Sequence, residues 1–121
     1  MIQTKSIYHD PQEPSDGYRL LVMRYWPRGV KKDRVDGWVR ALAPSAGLLS
    51  EYKAVGMDWL AFAARYRAEI SGSEEAVECL AAVRRLEEEH GRVTLICHED
   101  LSKPGEHCHR EVLQELLDGN P

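Results

Sequence analysis

The chain has no apolar run approaching the ~18 residues that a helix needs to cross a bilayer. Its opening, "MIQTKSIYHD", lacks the apolar core of a signal peptide. Cysteine is scarce: three residues, an odd number, with no C-x-x-C pair. That argues against a disulfide framework and against the usual structural zinc spacing, and it suits a reducing compartment. Basic charge is not in excess, with 16 Lys and Arg against 20 Asp and Glu. A net charge of −4 and a pI near 5.7 argue against broad nucleic-acid binding but leave room for a small basic pocket. Internal repeats and low-complexity tracts are missing too. The expectation is a cytoplasmic protein with neither membrane nor nucleic acid as partner, and with no oligomeric state assigned.

What is present suits one domain over residues 1–121. Hydrophobic residues make up 43% and charged residues 30%, the balance of a globular chain with a real core. "KSIYHD" (residues 5–10) is β-prone, and "PQEPSDG" supplies a turn at Asp16-Gly17. "YRLLVMRYWP" reads as a buried strand with Leu20, Val22, Arg24 and Trp26 on one face and Leu21, Met23 and Tyr25 on the other. The link between these strands is too short for a parallel crossover, so antiparallel pairing is expected if they pair.

Helical spacing follows. Asp33 can cap a helix with Val35, Trp38, Val39 and Leu42 inward, ended by Pro44. Ser45 can cap a short one bearing Leu48, Leu49 and Tyr52. Asp58 precedes Trp59, Phe62, Ala63, Tyr66 and Ile70 at 3.6-residue spacing. Glu74 to His90 forms the longest helix, with Cys79 in its core stripe, and Gly91 ends it. "RVTLIC" is a second strand, and Pro104-Gly105 closes the loop after it. A last helix runs from about His107 to Asp118, before a tail "LDGNP" expected to fray. This order predicts an α/β fold: a small mixed β-sheet packed by several α-helices, with sites beyond the carboxyl ends of the strands.

Two of the three cysteines and three of the five histidines fall between residues 97 and 109. Cys97 ends a strand, while Cys108, His109 and Arg110 open a helix, where backbone N–H groups favour an anion and lower a thiol's pKa. Three readings compete. Thiolate and imidazole are ligands for zinc or iron, so Cys97, Cys108 and His109 can hold a metal, with Glu99, His98 or His107 completing the shell. Alternatively, Arg24, Arg28, Ser45 and Arg110 form an anion pocket for phosphate or carboxylate, with Cys108 as a nucleophile. "CHR" nevertheless lacks the C-x5-R cradle of cysteine phosphatases. In the third reading Cys97 is a small core residue and His109 a buried histidine bonded to a backbone carbonyl. Arg24, on an apolar strand face, needs either a ligand or an acidic partner.

"SIYHDPQEPSDGYRLLVMRYWPRGVKK", "WVRALAPS" and "VTLIC…CHREVLQELL" together resemble the YeaO-like family, domain of unknown function 488, over nearly the whole chain. The resemblance implies a single α/β domain but no reaction. It also implies a shared pocket at Arg24, Trp26, Pro27, Arg28, Gly29, Pro44, Ser45 and His109. Family members often carry an acidic residue where this chain has Met23, and many lack the cysteines at positions 97 and 108. Many open the last helix with Asn-His-Ala where this chain has Cys108-His109-Arg110, and a related branch carries "CHR". The leading expectation is therefore metal binding by iron or zinc, with no organic cofactor. A small anionic ligand held by the arginines, or an interaction module without chemistry, are the alternatives.

Overall fold

The sheet is built from β1 (Ile2–Ser6), β2 (Tyr18–Leu21), β3 (Gly37–Trp38) and β4 (Val93–Cys97), in the order β1-β4-β2-β3 and parallel throughout. The computed structural model describes residues 1–103 and 105–119; Pro104 of the expected loop closure and the last two residues of the expected tail lie outside them. β4 takes the interior position because it is apolar on both faces: all five of its residues are buried. Leu20 and Val22 point into one core while Leu21 points into the other, as alternation along a strand requires.

Four helices follow the sheet strands in the chain: α1 (Ala46–Val55), α2 (Trp59–Ser71), α3 (Glu74–His90) and, after β4, α4 (His109–Leu117). Ser45 caps α1 by accepting the Leu48 N–H at 3.1 Å, and Ser73 caps α3 by accepting the Ala76 N–H at 3.2 Å. Gly56 and Gly91 end α1 and α3 in the left-handed conformation. Phe62, Tyr66 and Ile70 of α2, Ala76 and Val83 of α3, and Val112 and Leu113 of α4 meet Leu20, Val93 and Leu95 of the sheet. Each fully buried aliphatic side chain of this kind contributes roughly 1.5–3 kcal/mol. Cys79 packs at the edge of that core, as its stripe predicts. The opposite face, around Ile7, Leu21 and Ile96, is covered by Met23, Trp26, Val30 and Val35 from the irregular segment after β2.

The α/β architecture agrees with the sequence, but three local readings do not. The first two strands are not antiparallel partners, because β4 lies between them and pairs in parallel with both. Residues 7–17 carry the chain back in a loop whose last turn, Pro14–Asp16, tucks against β4: Thr94 Oγ1 donates to the Asp16 carbonyl at 2.6 Å. Gly17 makes this return possible, since at φ +66° a Cβ would lie 2.2 Å from the Arg92 carbonyl oxygen.

The helix expected from Asp33 is replaced by a turn at Lys32–Arg34, the edge strand β3 and a turn at Arg40–Leu42. Gly37 and the β-branched Val35 and Val39 weaken a helix there, and the edge of β2 offers their backbone better partners. Val39 N–H donates to the Leu21 carbonyl at 3.0 Å, and Asp36 N–H to the Arg19 carbonyl at 2.8 Å. Trp38 consequently lies exposed at the edge rather than in a core stripe. Finally, β2 stops at Leu21, so Arg24 leaves the sheet instead of occupying its apolar face. No helix among the described residues is long and apolar enough to cross a membrane.

Candidate functional site

Parallel strands end on one edge, and β4 delivers Cys97 to the middle of it, with Ser6 of β1 alongside. The chain returns to that edge at Cys108, which precedes α4 and brings its thiol to Cys97. Ser6 Oγ donates to the His98 carbonyl at 3.0 Å, and Cys108 N–H donates to Glu111 Oε2 at 2.9 Å, which fixes both ends of the turn. Cys97, Cys108 and His109 are all buried, and their donor atoms lie within 4.8 Å of one another. A second triplet of the same tightness adds His98 and Glu99 to Cys97.

His109 is oriented by a hydrogen bond from Nε2 to the Val22 carbonyl oxygen at 2.7 Å, and its ring meets the Tyr66 ring edge-on at 5.6 Å. That bond places the proton on Nε2 and leaves Nδ1 as a lone-pair donor, 3.7 Å from Cys108 Sγ. Cys97 Sγ lies 3.1 Å from Glu99 Oε2. The buried-histidine reading is therefore correct for Nε2 and says nothing against a ligand role for Nδ1.

The two thiols are not equivalent. The adjoining Cys108 thiol holds Cys97 well below the ordinary cysteine range, overcoming the opposing effect of burial, and the imidazoles of His109 and His98 add to it. Burial, together with the neighbouring Cys97, pushes Cys108 well above that range. The pair thus gives up one proton readily and the second with difficulty. Burial and the Cys97 charge also raise Glu99, while the hydrogen bond to Cys97 raises His98.

Above these groups opens a cavity of about 340 Å³. Its walls include Leu49, Tyr52, Trp59 and Phe62 from α1 and α2, with Arg24 and Lys53 among the lining residues. His107 stacks face to face on Trp59, with ring centroids 4.7 Å apart and planes 7° apart. Sequence reasoning missed Tyr52, Lys53 and Trp59. The aromatics follow the helical stripe of ordinary core residues, and Lys53 reads as solvated surface.

The four residues expected to hold an anion are not brought together. Arg24 lines the cavity, with Nε donating to the Pro44 carbonyl at 2.6 Å and Nη2 to the Ala43 carbonyl at 3.4 Å, and no acidic partner among the described residues. Arg28 is exposed on the far side of the loop, where its carbonyl accepts from Tyr8 Oη. The Ser45 side chain is engaged as a helix cap and by Glu69. Arg110 is buried beneath the turn, with Nη2 donating to the Glu99 carbonyl at 2.7 Å and no partner for Nε or Nη1 among the described residues. Trp26 lines a separate shallow depression with Trp38, and Pro27 is buried beside it.

Residues 2–120 match the family model DUF488-N3a, described as the active DUF488-N3 subclade. The chain is 40% identical over 86 residues to the uncharacterized protein YeaO of Escherichia coli, covering 69% of this chain and 74% of that protein. It is 33% identical over 120 residues to the uncharacterized protein Rv3073c of Mycobacterium tuberculosis, covering 98% of this chain and 94% of the relative. The uncharacterized protein Mb3100c of Mycobacterium bovis matches to the same extent. No solved structure matches the chain.

Proposed function

This chain belongs to the DUF488-N3a family, and we propose that it binds a transition metal, zinc or iron, through Cys97 Sγ, Cys108 Sγ and His109 Nδ1. The observation carrying this reading is the gathering of three buried N and S donors within 4.8 Å at the floor of a cavity. With metal–sulfur and metal–nitrogen bonds of about 2.3 and 2.0–2.1 Å, a tetrahedral Cys–His edge measures about 3.6 Å. The Cys108–His109 separation of 3.7 Å matches it without rearrangement. The His109 bond to Val22 is the outer-shell contact that fixes a ligating imidazole. Glu99 is the nearest further donor.

Three protein donors with a fourth position facing a cavity suit a reactive site better than a purely structural one. The family's description as the active subclade is in keeping with that. We place the site in the cytoplasm, where reducing conditions keep both thiols available, and within one domain. Binding removes the difficult second thiol proton, so uptake releases protons and weakens in acid.

Metal analysis of protein purified without an affinity tag, beside a Cys108→Ala variant, tests the proposal. About one equivalent of zinc or iron is expected in the parent, with at least a tenfold loss of affinity in the variant. Equal and negligible metal in both would sink it.

A further inference from the structure

We propose that the cavity above the thiols takes a small molecule with a flat aromatic body and a single anionic group, of the arylcarboxylate or arylphosphonate class. The site's floor rests on the metal reading, while the ligand class rests on its walls. Tyr52, Trp59 and Phe62 converge there, with the Tyr52–Phe62 and Trp59–Phe62 centroids 4.4 and 5.5 Å apart. Phe62 is buried behind the wall and His107 covers one face of Trp59, so the half-exposed Tyr52 and Trp59 present ring edges, against which a flat aromatic body packs edge-on or offset. The volume of about 340 Å³ is at the small end for ligand sites, which limits the occupant to a ring and a short substituent.

The charge comes from Arg24 and Lys53. The chain carries more carboxylates than cations, yet neither of these side chains forms an ion pair among the described residues. Arg24 is half-buried and braced by two backbone carbonyls, which orient the guanidinium without neutralising it and leave Nη1 without an acceptor among the described residues. A pre-set guanidinium and an exposed ammonium lining one small cavity are complementary to a single anion. Arg24 and Lys53 match the acidic group and the aromatic wall matches the ring, so the two ends of the ligand have separate partners in one cavity.

Calorimetric titration of the full chain with phenylphosphonate tests this, with inorganic phosphate and benzyl alcohol as the two half-probes, on zinc-loaded and chelator-treated protein. Phenylphosphonate is expected to bind at least about tenfold more tightly than either half-probe. Lys53 is exposed, so its variants keep the fold: Lys53→Met should weaken binding about fivefold and Lys53→Glu further. Phosphate binding as tightly as phenylphosphonate, or equal affinity in Lys53→Glu and the parent, overturns the inference. Zinc content measured on the same samples separates the two readings. Zinc held without probe binding overturns this one alone; probe binding that depends on Lys53 in a chain that holds no metal supports it and overturns only the metal site.

Discussion

Asp16 is buried in the turn before β2, surrounded by cations and N–H donors. Its carboxylate pairs with Arg19 and with Lys5 Nζ at 2.6 Å, and it accepts the Glu13 N–H at 3.0 Å and Gln3 Nε2 at 3.3 Å. Burial by itself raises an acid's pKa, but Lys5, the Glu13 N–H and Arg19 outweigh it and hold Asp16 below the ordinary carboxylate range. Removing the anion leaves Arg19 buried and unpaired, so Asp16→Asn should cost about 3 kcal/mol in urea unfolding at pH 7. The sign of the pH dependence follows from the lowered value. The stabilisation is complete above the unfolded value of about 3.9 and is lost as pH falls through the lower folded one. The gap between parent and variant should therefore narrow as the pH drops below about 4, and a constant gap would contradict the assignment. In the sequence Asp16 reads only as a turn former; its role comes from Lys5 and Arg19 arriving on two different strands.

At the scale of elements, local chemistry speaks clearly wherever a cap and a 3.6-residue stripe coincide. Ser45, Asp58 and Gly91 mark boundaries where the sequence places them, and the Glu74–His90 helix has the limits read from its pattern. The 33–42 segment fails because its apolar spacing fits a helix while its backbone finds better partners on β2, an option no local pattern encodes. α1 matters beyond its own stability, since Leu49, Tyr52 and Lys53 all face the cavity. The Ser45 hydroxyl accepts the Leu48 N–H to hold the first turn, and the hydroxyl and the Ser45 N–H both donate to the Glu69 carboxylate. Ser45→Ala should therefore cost about 1 kcal/mol in thermal unfolding and speed hydrogen exchange of the first α1 amides. An unchanged melting temperature together with unchanged exchange would show that the cap is dispensable.

For the whole molecule, a metal held as proposed by Cys97, Cys108 and His109 would clamp the end of β4 to the start of α4, so ligation would favour the folded chain. Zinc at a hundred times its dissociation constant should add about 2.7 kcal/mol, which raises Tm by about 10 °C for a chain of this size. Cys108→Ala should show no such rise, and an equal rise in both proteins would place the zinc elsewhere. The sequence by itself showed the crowding of Cys and His residues into 97–109, because scarce residue types are visible without coordinates. It also determined the α/β class and most helix ends, since both are written in short-range periodicity and caps. Tertiary structure alone decided that β4 separates the first two strands, and that Cys97 and Cys108 face each other across the sheet edge. It also scattered the four candidate anion residues and put Lys53 on the cavity that Arg24 lines. These are matters of which distant segments meet, and they are settled by packing around β4, whose five residues are all buried.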